Sequence, residues 1–309
     1  MYRFLTLSFV VLNALSSMAQ NSSANPEGKK YTSITPSAYA LIKLKAYTKI
    51  PFAKETAALL AKDSVGEELK KGGRDFFKYI IHFENRYWTV DKMLARVPSG
   101  NILEFSSGYS FRGLSRCMEQ NINFIDTDLP YVIDTKKKMV NTLLAESGRR
   151  VIGNFQLLPL NVFNQTDFTN IVNRFPPGPV TIINEGLLVY FNDDEKRQLC
   201  SIIHHVLENR GGYWITADIY VKTDEHPVDN PVMSSFRMEH HLDENRFDNY
   251  EAAEKFFKNC GFEVVYRESL AIDQLSCLQL LSQSKRDGVI EKLKNSPPIR
   301  QTWCLRVAQ

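Results

Sequence analysis

From Asn101 to the C-terminus, short apolar runs typical of β-strands alternate with segments whose apolar residues recur at helical spacing. This alternation constrains the fold more than any other feature, because strands without a polar face need helices on both sides of their sheet. The candidate strands are Ile102–Phe105, Asn123–Asp126, Gln156–Leu160, Val180–Asn184, Tyr213–Ile219, Glu263–Tyr266 and Trp303–Val307. The sequence therefore predicts an α/β fold with a seven-stranded, mostly parallel, doubly wound sheet.

Helices are predicted between these strands and also before them. Those between the strands are Phe111–Gln120, Tyr131–Ser147, Phe168–Arg174, Asp193–Asn209 and Tyr250–Cys260. From Ser37 to Arg96 the apolar spacing is also helical, which indicates an N-terminal extension of about four short helices. We expect a flexible lead-in and this extension over residues 20–96, and the sheet domain over 97–309 with an insert at about 219–250.

The N-terminus has the pattern of a signal peptide over residues 1–19. Arg3 precedes the largely apolar run Phe4–Leu15, and Ser17-Met18-Ala19 offers a cleavage site of small residues. The apolar run is too short to span a bilayer, so no stable membrane span is predicted. Alternatively, Met18 is the true initiator and residues 1–17 are not translated.

The cysteines favour the opposite location. They number five, no two are closer than 17 residues, and none forms a C-x-x-C motif. This use of cysteine predicts reduced, mostly buried thiols, as in cytoplasmic proteins. We therefore predict a cytoplasmic protein, with export as the alternative that the first residues suggest.

Charge and histidine spacing exclude two classes of ligand. The chain has 38 Lys and Arg against 35 Asp and Glu, a net charge of +3 without a basic stripe, so no nucleic acid partner is predicted. The densest basic run, Lys136-Lys137-Lys138, is predicted to be a solvated helix face. The six histidines lack metal-ligand spacing, so no metal site is predicted.

The carboxyl ends of the strands are where a doubly wound sheet binds ligands. Glu104 lies at the end of the first candidate strand, and Ser106 and Gly108 follow in a turn of small residues where backbone can approach a ligand. The turn lacks G-x-G-x-x-G, which disfavours a nicotinamide-dependent enzyme. An acidic strand end suits a cationic or hydroxyl-bearing ligand better.

Three further strand ends also carry polar side chains. After the second strand, Asp126 is followed by Asp128, whose carboxylate could accept hydrogen bonds from a ribose diol or cap the next helix. Asn161 follows the third strand and suits either an adenine edge or a turn. The pair Asn184-Glu185 ends the fourth strand and is the strongest local signal, because buried carboxylates are costly.

Taken in order, these features resemble the class I S-adenosylmethionine-dependent methyltransferases. More narrowly, they resemble the leucine carboxyl methyltransferase superfamily, which includes polyketide O-methyltransferases. The resemblance runs from about Tyr31 to Ala217 and implies a Rossmann-like methyltransferase sheet. The matching segments are Thr32-Ser33-Ile34-Thr35-Pro36-Ser37-Ala38, Lys45-Ala46-Tyr47, Arg86, Glu104–Arg112, Asp126-x-Asp128-Leu129-Pro130 and Glu185-Gly186-Leu187-Leu188-x-Tyr190.

The resemblance implies that S-adenosyl-L-methionine is the cofactor. The residues that it places at the cofactor are Lys45, Arg86, Glu104, Ser106, Gly108, Asp126, Asp128, Leu160, Asn161 and Glu185. Arg86, with Lys45, would hold the methionine carboxylate, although Arg86 could instead form a surface salt bridge with Asp91. Asp128 would bind the ribose hydroxyls.

The remaining positions complete this implied site. The Glu104–Gly108 loop would pass under the methionine and ribose, Leu160 and Asn161 would face the adenine, and Glu185 would lie near the amino group. Three positions depart from the family pattern. The family usually has Gly in place of Ser106 and Asp in place of both Ser110 and Asn161.

The acceptor is predicted to be an oxygen of a small molecule or peptide, specifically a carboxylate. A carboxylate is already anionic and needs no general base, whereas a phenol or alcohol does. The sequence does not provide an isolated, well-placed histidine before the fifth strand that could act as that base. The alternative is an exported, non-catalytic ligand-binding protein with a methyltransferase-like fold, which the signal-like start and Ser106 motivate.

The insert after the fifth strand is expected to cover the acceptor pocket as a lid. The N-terminal helices would form the opposite wall. The residues expected to contact the acceptor are Tyr190, Tyr220, Arg237 and His240.

Overall fold

A computed structural model describes residues 35–60, 73–98, 100–223 and 240–309 of the chain. The predicted signal peptide at 1–19, the lead-in at 20–30 and Arg237 of the predicted lid lie outside the described residues. Within the described segments, no helix is long and apolar enough to cross a membrane.

Seven strands form one mixed sheet. They are β1 (Asn101–Phe105), β2 (Asn123–Asp128), β3 (Asn154–Pro159), β4 (Val180–Asn184), β5 (Gly212–Tyr220), β6 (Phe262–Glu268) and β7 (Arg300–Val307). Their order is β3-β2-β1-β4-β5-β7-β6; β1 to β5 run parallel, and β7 lies antiparallel between β5 and β6. The predicted α/β class with a seven-stranded, mostly parallel sheet is confirmed.

Burial explains why the strands could be recognised from the sequence. Every residue of β1 and β4 is buried, as expected for central strands covered by helices on both faces. The bounds of β4 match the prediction, and the other strands differ from it by one to three residues at an end. Some of these differences lie where polar residues continue the strand, as in Thr127 and Asp128 of β2.

Helices cover the sheet and precede it. They are α1 (Thr35–Lys45), α2 (Ala53–Leu60), α3 (Gly73–Leu94), α4 (Arg112–Glu119), α5 (Pro130–Ser147), α6 (Gln165–Val172), α7 (Asp193–Arg210), α8 (Tyr250–Asn259) and α9 (Gln283–Asn295). The helical stretch before β1 includes one helix of 22 residues, α3, where short helices were predicted. The sequence did not predict α9, a mostly polar helix in which no residue is fully buried, although Val289, Ile290 and Leu293 pack against the core.

The lysine run on α5 is only partly solvated. Lys137 and Lys138 are exposed, but Lys136 is fully buried, so the predicted solvated face is wrong at this position. Lys136 Nζ forms an ion pair with Asp126 Oδ2 at 2.8 Å and a hydrogen bond with Ser107 Oγ at 2.8 Å. Its charge is compensated inside the fold, where α5 packs over β2.

The cysteines agree with the prediction of mostly buried thiols. Cys117, Cys200, Cys277 and Cys304 are buried, Cys260 is half-buried, and all five are free. Most of them belong to the apolar clusters between the sheet and its helices.

Candidate functional site

A cavity opens at the carboxyl ends of β1, β2, β3 and β4. The strand order reverses between β1 and β4, which is where open α/β sheets bind ligands. Ala38, Leu41, Ile42 and Lys45 of α1 form one wall. The other lining residues are Arg86, Glu104, Ser106, Ser107, Gly108, Tyr109, Ser110, Asp128, Leu129, Val132, Leu160, Asn161, Val162, Phe163, Glu185, Gly186, Leu187 and Phe191.

The structure brings nine of the ten predicted cofactor residues to this cavity and leaves one out. The exception is Asp126, whose carboxylate lies beneath the floor and is fully buried. Asp126 pairs with Lys136, which also bonds to Ser107 of the β1 loop. Burial raises the pKa of Asp126, whereas Lys136 acts to lower it. Asp126 therefore supports the loop from below.

The loop after β1 turns sharply under the cavity. Ser106 and Gly108 both have φ of 52°, in the left-handed region that favours glycine. The Ser107 amide donates to Thr127 O at 3.0 Å, which ties the loop to the end of β2. The serine in place of the family's glycine therefore holds a backbone conformation that a glycine would adopt with less strain.

Asp128 faces the cavity from the end of β2. Its Oδ2 accepts a hydrogen bond from the Gly108 amide at 2.8 Å, and its Oδ1 accepts one from the Leu129 amide at 2.7 Å. Burial raises the pKa of Asp128, and these two hydrogen bonds oppose that rise. The alternative that Asp128 caps α5 is wrong, because Leu129 is the N-cap residue and no side chain caps this helix.

Glu104 contributes a buried carboxylate of which one oxygen is hydrogen-bonded and the other is not. Its Oε1 lies 3.4 Å from Arg112 Nε, whereas its Oε2 is buried and has no hydrogen-bond partner in the described chain. Burial raises the pKa of Glu104 to about 7, with Arg112 opposing and Asp126 adding to the rise. An unsatisfied carboxylate oxygen in a cavity wall suits a cationic or hydrogen-bond-donating ligand.

Glu185, in contrast, is surrounded by cations from three helices. Its Oε1 accepts from Lys45 Nζ at 2.5 Å and Arg86 Nε at 3.3 Å, and its Oε2 accepts from Arg112 Nη2 at 2.7 Å. Burial alone would raise the pKa of Glu185, but these three charges outweigh it and hold the pKa well below its ordinary value. Arg86 makes no ion pair with Asp91 and is buried, so the alternative of a surface salt bridge is wrong.

Arg112, which the sequence did not single out, anchors this ionic network. The guanidinium is fully buried, stacks on the Tyr87 ring at 3.8 Å from the centroid, and pairs with Asp91, Glu104 and Glu185. It begins α4 directly after the β1 loop. The position of a charged residue so close to the end of β1 could have identified Arg112 as a candidate site residue.

Asp218, at the end of β5, was another missed residue. Its carboxylate accepts hydrogen bonds from the Asn184 side chain at 2.7 Å and from the amides of Gly186, Leu187 and Leu188 at 2.6, 2.7 and 3.1 Å. These bonds fix the loop that carries Glu185. Gly186, at φ of 87°, lets this loop approach the Arg86 guanidinium, since a Cβ would lie 2.8 Å from Nη2.

Leu160 and Asn161 line the cavity after β3. Leu160 is buried and Asn161 is exposed. The Asn161 Oδ1 accepts from the Phe163 amide at 3.1 Å, so Asn161 forms the turn that the sequence allowed and still faces the cavity.

Three of the predicted acceptor contacts, Tyr190, Tyr220 and His240, lie outside this lining, and Arg237 lies outside the described residues. Tyr190 packs edge-on against His240, with ring centroids 5.9 Å apart. Tyr220 is buried behind Arg86, and its hydroxyl lies 3.4 Å from Arg86 Nη1 and 2.8 Å from Nε2 of His82, a residue that the sequence did not select. Across the described ranges, no cluster of three His, Cys, Asp or Glu could hold a metal ion.

The chain matches no protein-family model and no curated protein sequence. Several solved structures are distantly similar to it. They include the mitomycin 7-O-methyltransferase MmcR (11% identity, TM-score 0.43, covering 96% of this chain and 76% of that chain). LepI in complex with SAH and a substrate analogue is similar at 10% identity and TM-score 0.45, over 97% and 76%. A putative O-methyltransferase from Nostoc punctiforme is similar at 13% identity and TM-score 0.43, over 87% and 71%.

Proposed function

We propose that the protein is an S-adenosylmethionine-dependent O-methyltransferase, related to the leucine carboxyl methyltransferase superfamily. The observation that carries the proposal is the cavity itself, which joins carboxylates of β1 and β2 with cations of α1 and α3. S-adenosylmethionine has complementary groups, a ribose diol, an amino group, a carboxylate and a sulfonium. The resemblance of the strand-end motifs supports the same assignment.

The ribose and adenine fit the part of the cavity formed by β2 and β3. Asp128 lies at the end of β2, and its carboxylate oxygens retain capacity for further hydrogen bonds beyond the two amides. Leu160 offers an apolar contact beside Asn161, whose amide nitrogen can donate to a ring nitrogen. The loop Ser106–Gly108, in which Ser107 is buried and its two neighbours are partly exposed, supplies the floor between them.

The methionine end fits between β1 and α3. Its carboxylate is assigned to Arg86, whose Nη2 has no hydrogen bond within the described residues, and to Lys45. The resemblance implies that Glu185 lies near the amino group, but both Glu185 oxygens already accept from cations. We therefore assign the amino group to Glu104, whose Oε2 has no hydrogen-bond partner among the described residues.

The chain's own residues position the reactants and exclude water. The bound cofactor supplies an electrophilic methyl group on a sulfonium, which is already a good leaving group. The Glu185 loop, held by Asp218, and helix α1 enclose the site, so that an acceptor oxygen can be aligned with the methyl. A carboxylate acceptor needs no proton transfer, and the described residues that line the cavity include no histidine.

Isothermal titration of the full-length protein with S-adenosylmethionine tests the proposal. We expect a saturable heat with one site per chain and no heat with NADH as the matched nucleotide control. No heat at millimolar S-adenosylmethionine would contradict the proposal.

Turnover separates the enzyme from the alternative binding protein. The protein is incubated with S-adenosylmethionine bearing a deuterated methyl group and a panel of carboxylic acids and phenols, and labelled products are sought by mass spectrometry. Labelled methyl esters support the proposal. Tight binding without a labelled product from any acceptor would favour the non-catalytic alternative.

A further inference from the structure

A second group of polar side chains lies behind Arg86, away from Glu185. It consists of His82, Arg86, Tyr220, Arg246 and Arg300, and we call it the arginine group. The Tyr220 hydroxyl contacts both His82 Nε2 and Arg86 Nη1, and Arg246 Cζ lies 5.9 Å from the Tyr220 ring centroid. Arg300 of β7 lies opposite Tyr220 of β5 in the sheet, and its charge acts on both His82 and Arg86.

Arg300 is a buried cation without a counter-ion. Its side chain donates only to neutral groups, Ala217 O at 3.2 Å, Thr302 Oγ1 at 2.8 Å and Thr89 Oγ1 at 3.3 Å. The residue is 3% exposed and forms no ion pair within the described part of the chain. Burying a guanidinium without an anion is costly, and burial lowers the pKa of Arg300 accordingly.

Arg246 adds a second unsatisfied donor. Its Nη2 pairs with Asp243 at 3.2 Å, but Asp243 is half exposed, and Arg246 Nε is buried without a hydrogen-bond partner in the described segments. A buried donor without a partner is uncommon in folded proteins and indicates a bound ion, water or ligand.

Two carboxylates of the described residues, Asp218 and Glu185, act on Arg300 at longer range, but each is already bonded to other groups. Glu185 is shared among three cations, and Asp218 is bonded to one amide side chain and three backbone amides. His82 adds no charge, because burial, followed by Arg300, Arg86 and Arg246, lowers its pKa well below its ordinary value. Among the described residues, Arg300 therefore has no carboxylate within ion-pair distance.

We propose that the arginine group binds a carboxylate of the methyl acceptor. This inference rests on the proposed function and assigns acceptor recognition to His82, Arg246 and Arg300, which no sequence motif indicated. Arg86 connects the two sites, since Nε bonds to Glu185 in the cavity wall and Nη1 to Tyr220. The arginine group thus adjoins the cavity through Arg86, which is the member of the group that lines it.

Methyl transfer to that carboxylate needs no general base. The carboxylate oxygen forms a bond to the methyl carbon while the bond from carbon to sulfur breaks. The electron pair of that bond stays on sulfur, which becomes a neutral thioether, and no proton leaves the acceptor. The arginine group then faces a neutral ester, which it holds less strongly than the anion.

Fluorine NMR of the full-length protein without cofactor tests the anion site. The probe is 4-fluorobenzoate, and 4-fluorobenzyl alcohol is its neutral counterpart. We expect saturable broadening of the benzoate signal only. Binding should weaken about tenfold in Arg246→Gln and in Tyr220→Phe, the loss of one charge-assisted bond. The control Arg306→Gln, an exposed arginine paired with Glu263, should bind as the wild type does.

Several results would overturn the inference. These are equal broadening by the alcohol, unchanged affinity in both variants whose thermal melts remain wild-type, or binding of inorganic phosphate with no binding of benzoate. Titration with S-adenosylmethionine in the same preparation keeps the two proposals apart. Benzoate binding without cofactor heat would contradict the proposed function and leave the anion site standing, whereas cofactor heat without benzoate binding would do the reverse.

Discussion

Two carboxylates in the cavity wall differ in what their oxygens bond to. Glu185 accepts from three cations, whereas Glu104 keeps one buried oxygen without a partner. A saturated carboxylate fixes its neighbours, and an unsatisfied one favours a ligand that donates a hydrogen bond. At the scale of single residues, Glu185 therefore holds the cationic side chains of the site in place, and Glu104 can accept a hydrogen bond from a ligand.

Asp128 combines both roles, and its truncation tests them together. Asp128→Ala should weaken binding of S-adenosylmethionine by roughly 1.5–3 kcal/mol, the range for hydrogen bonds to a charged group. The measurement is isothermal titration, with Asp134→Ala as the matched control, since Asp134 is an exposed carboxylate on α5. Because Asp128 also holds the amides of Gly108 and Leu129, a thermal melt must show that the variant is folded. Unchanged affinity in a folded variant would refute the ribose assignment.

At the scale of elements, the site depends on how one strand end holds another. The loop after β4 presents Glu185, and the end of β5 fixes that loop through the Asp218 carboxylate. β4 and β5 are paired in parallel, so their carboxyl ends meet at one edge of the sheet. Asp218 is thus a positioning residue that does not line the cavity.

Replacement of Asp218 should loosen this loop selectively. Asp218→Asn keeps the shape but loses one acceptor and the charge, so we expect a loss of about 2–3 kcal/mol in the free energy of unfolding. Hydrogen exchange by mass spectrometry should show faster exchange over residues 184–191 than in the wild type. Asp273→Asn, at an exposed aspartate, is the control. Equal protection of that loop in Asp218→Asn and wild type would contradict the anchoring role.

At the scale of the whole molecule, ionisation of a buried carboxylate lowers the free energy of unfolding. Burial raises the pKa of Glu104 from 4.5 to about 7, so the folded state binds this proton more tightly than the unfolded chain. The cost is absent below about pH 4.5, grows as the pH rises to about 7, and stays constant above. Stability should therefore fall by about 3 kcal/mol across this window.

Urea unfolding at pH 5 and pH 8 measures this fall. Glu104→Gln removes the titrating group and should flatten the pH dependence by most of that amount, whereas Glu119→Gln, at an exposed glutamate, should not. Identical pH dependence in wild type and Glu104→Gln would show that Glu104 does not carry the cost. The same proton should be released when a cationic ligand binds beside Glu104.

The sequence alone determined the strands, most of the helices and the polar residues that follow them. The spacing of apolar residues along the chain indicates which strands and helix faces are buried. The bounds of β4, a fully buried strand, match the prediction for that reason. The helix α9, which is mostly polar and has no fully buried residue, was missed.

Only the tertiary structure decided which charges meet. Glu185 bonds to Lys45, 140 residues away, and to Arg112, 73 residues away, and no local pattern encodes such pairs. The same holds for Lys136, which was predicted to be solvated and is buried in an ion pair with Asp126. Partnership between charges depends on where helices dock on the sheet, and this docking fixes which carboxylates remain open to a ligand.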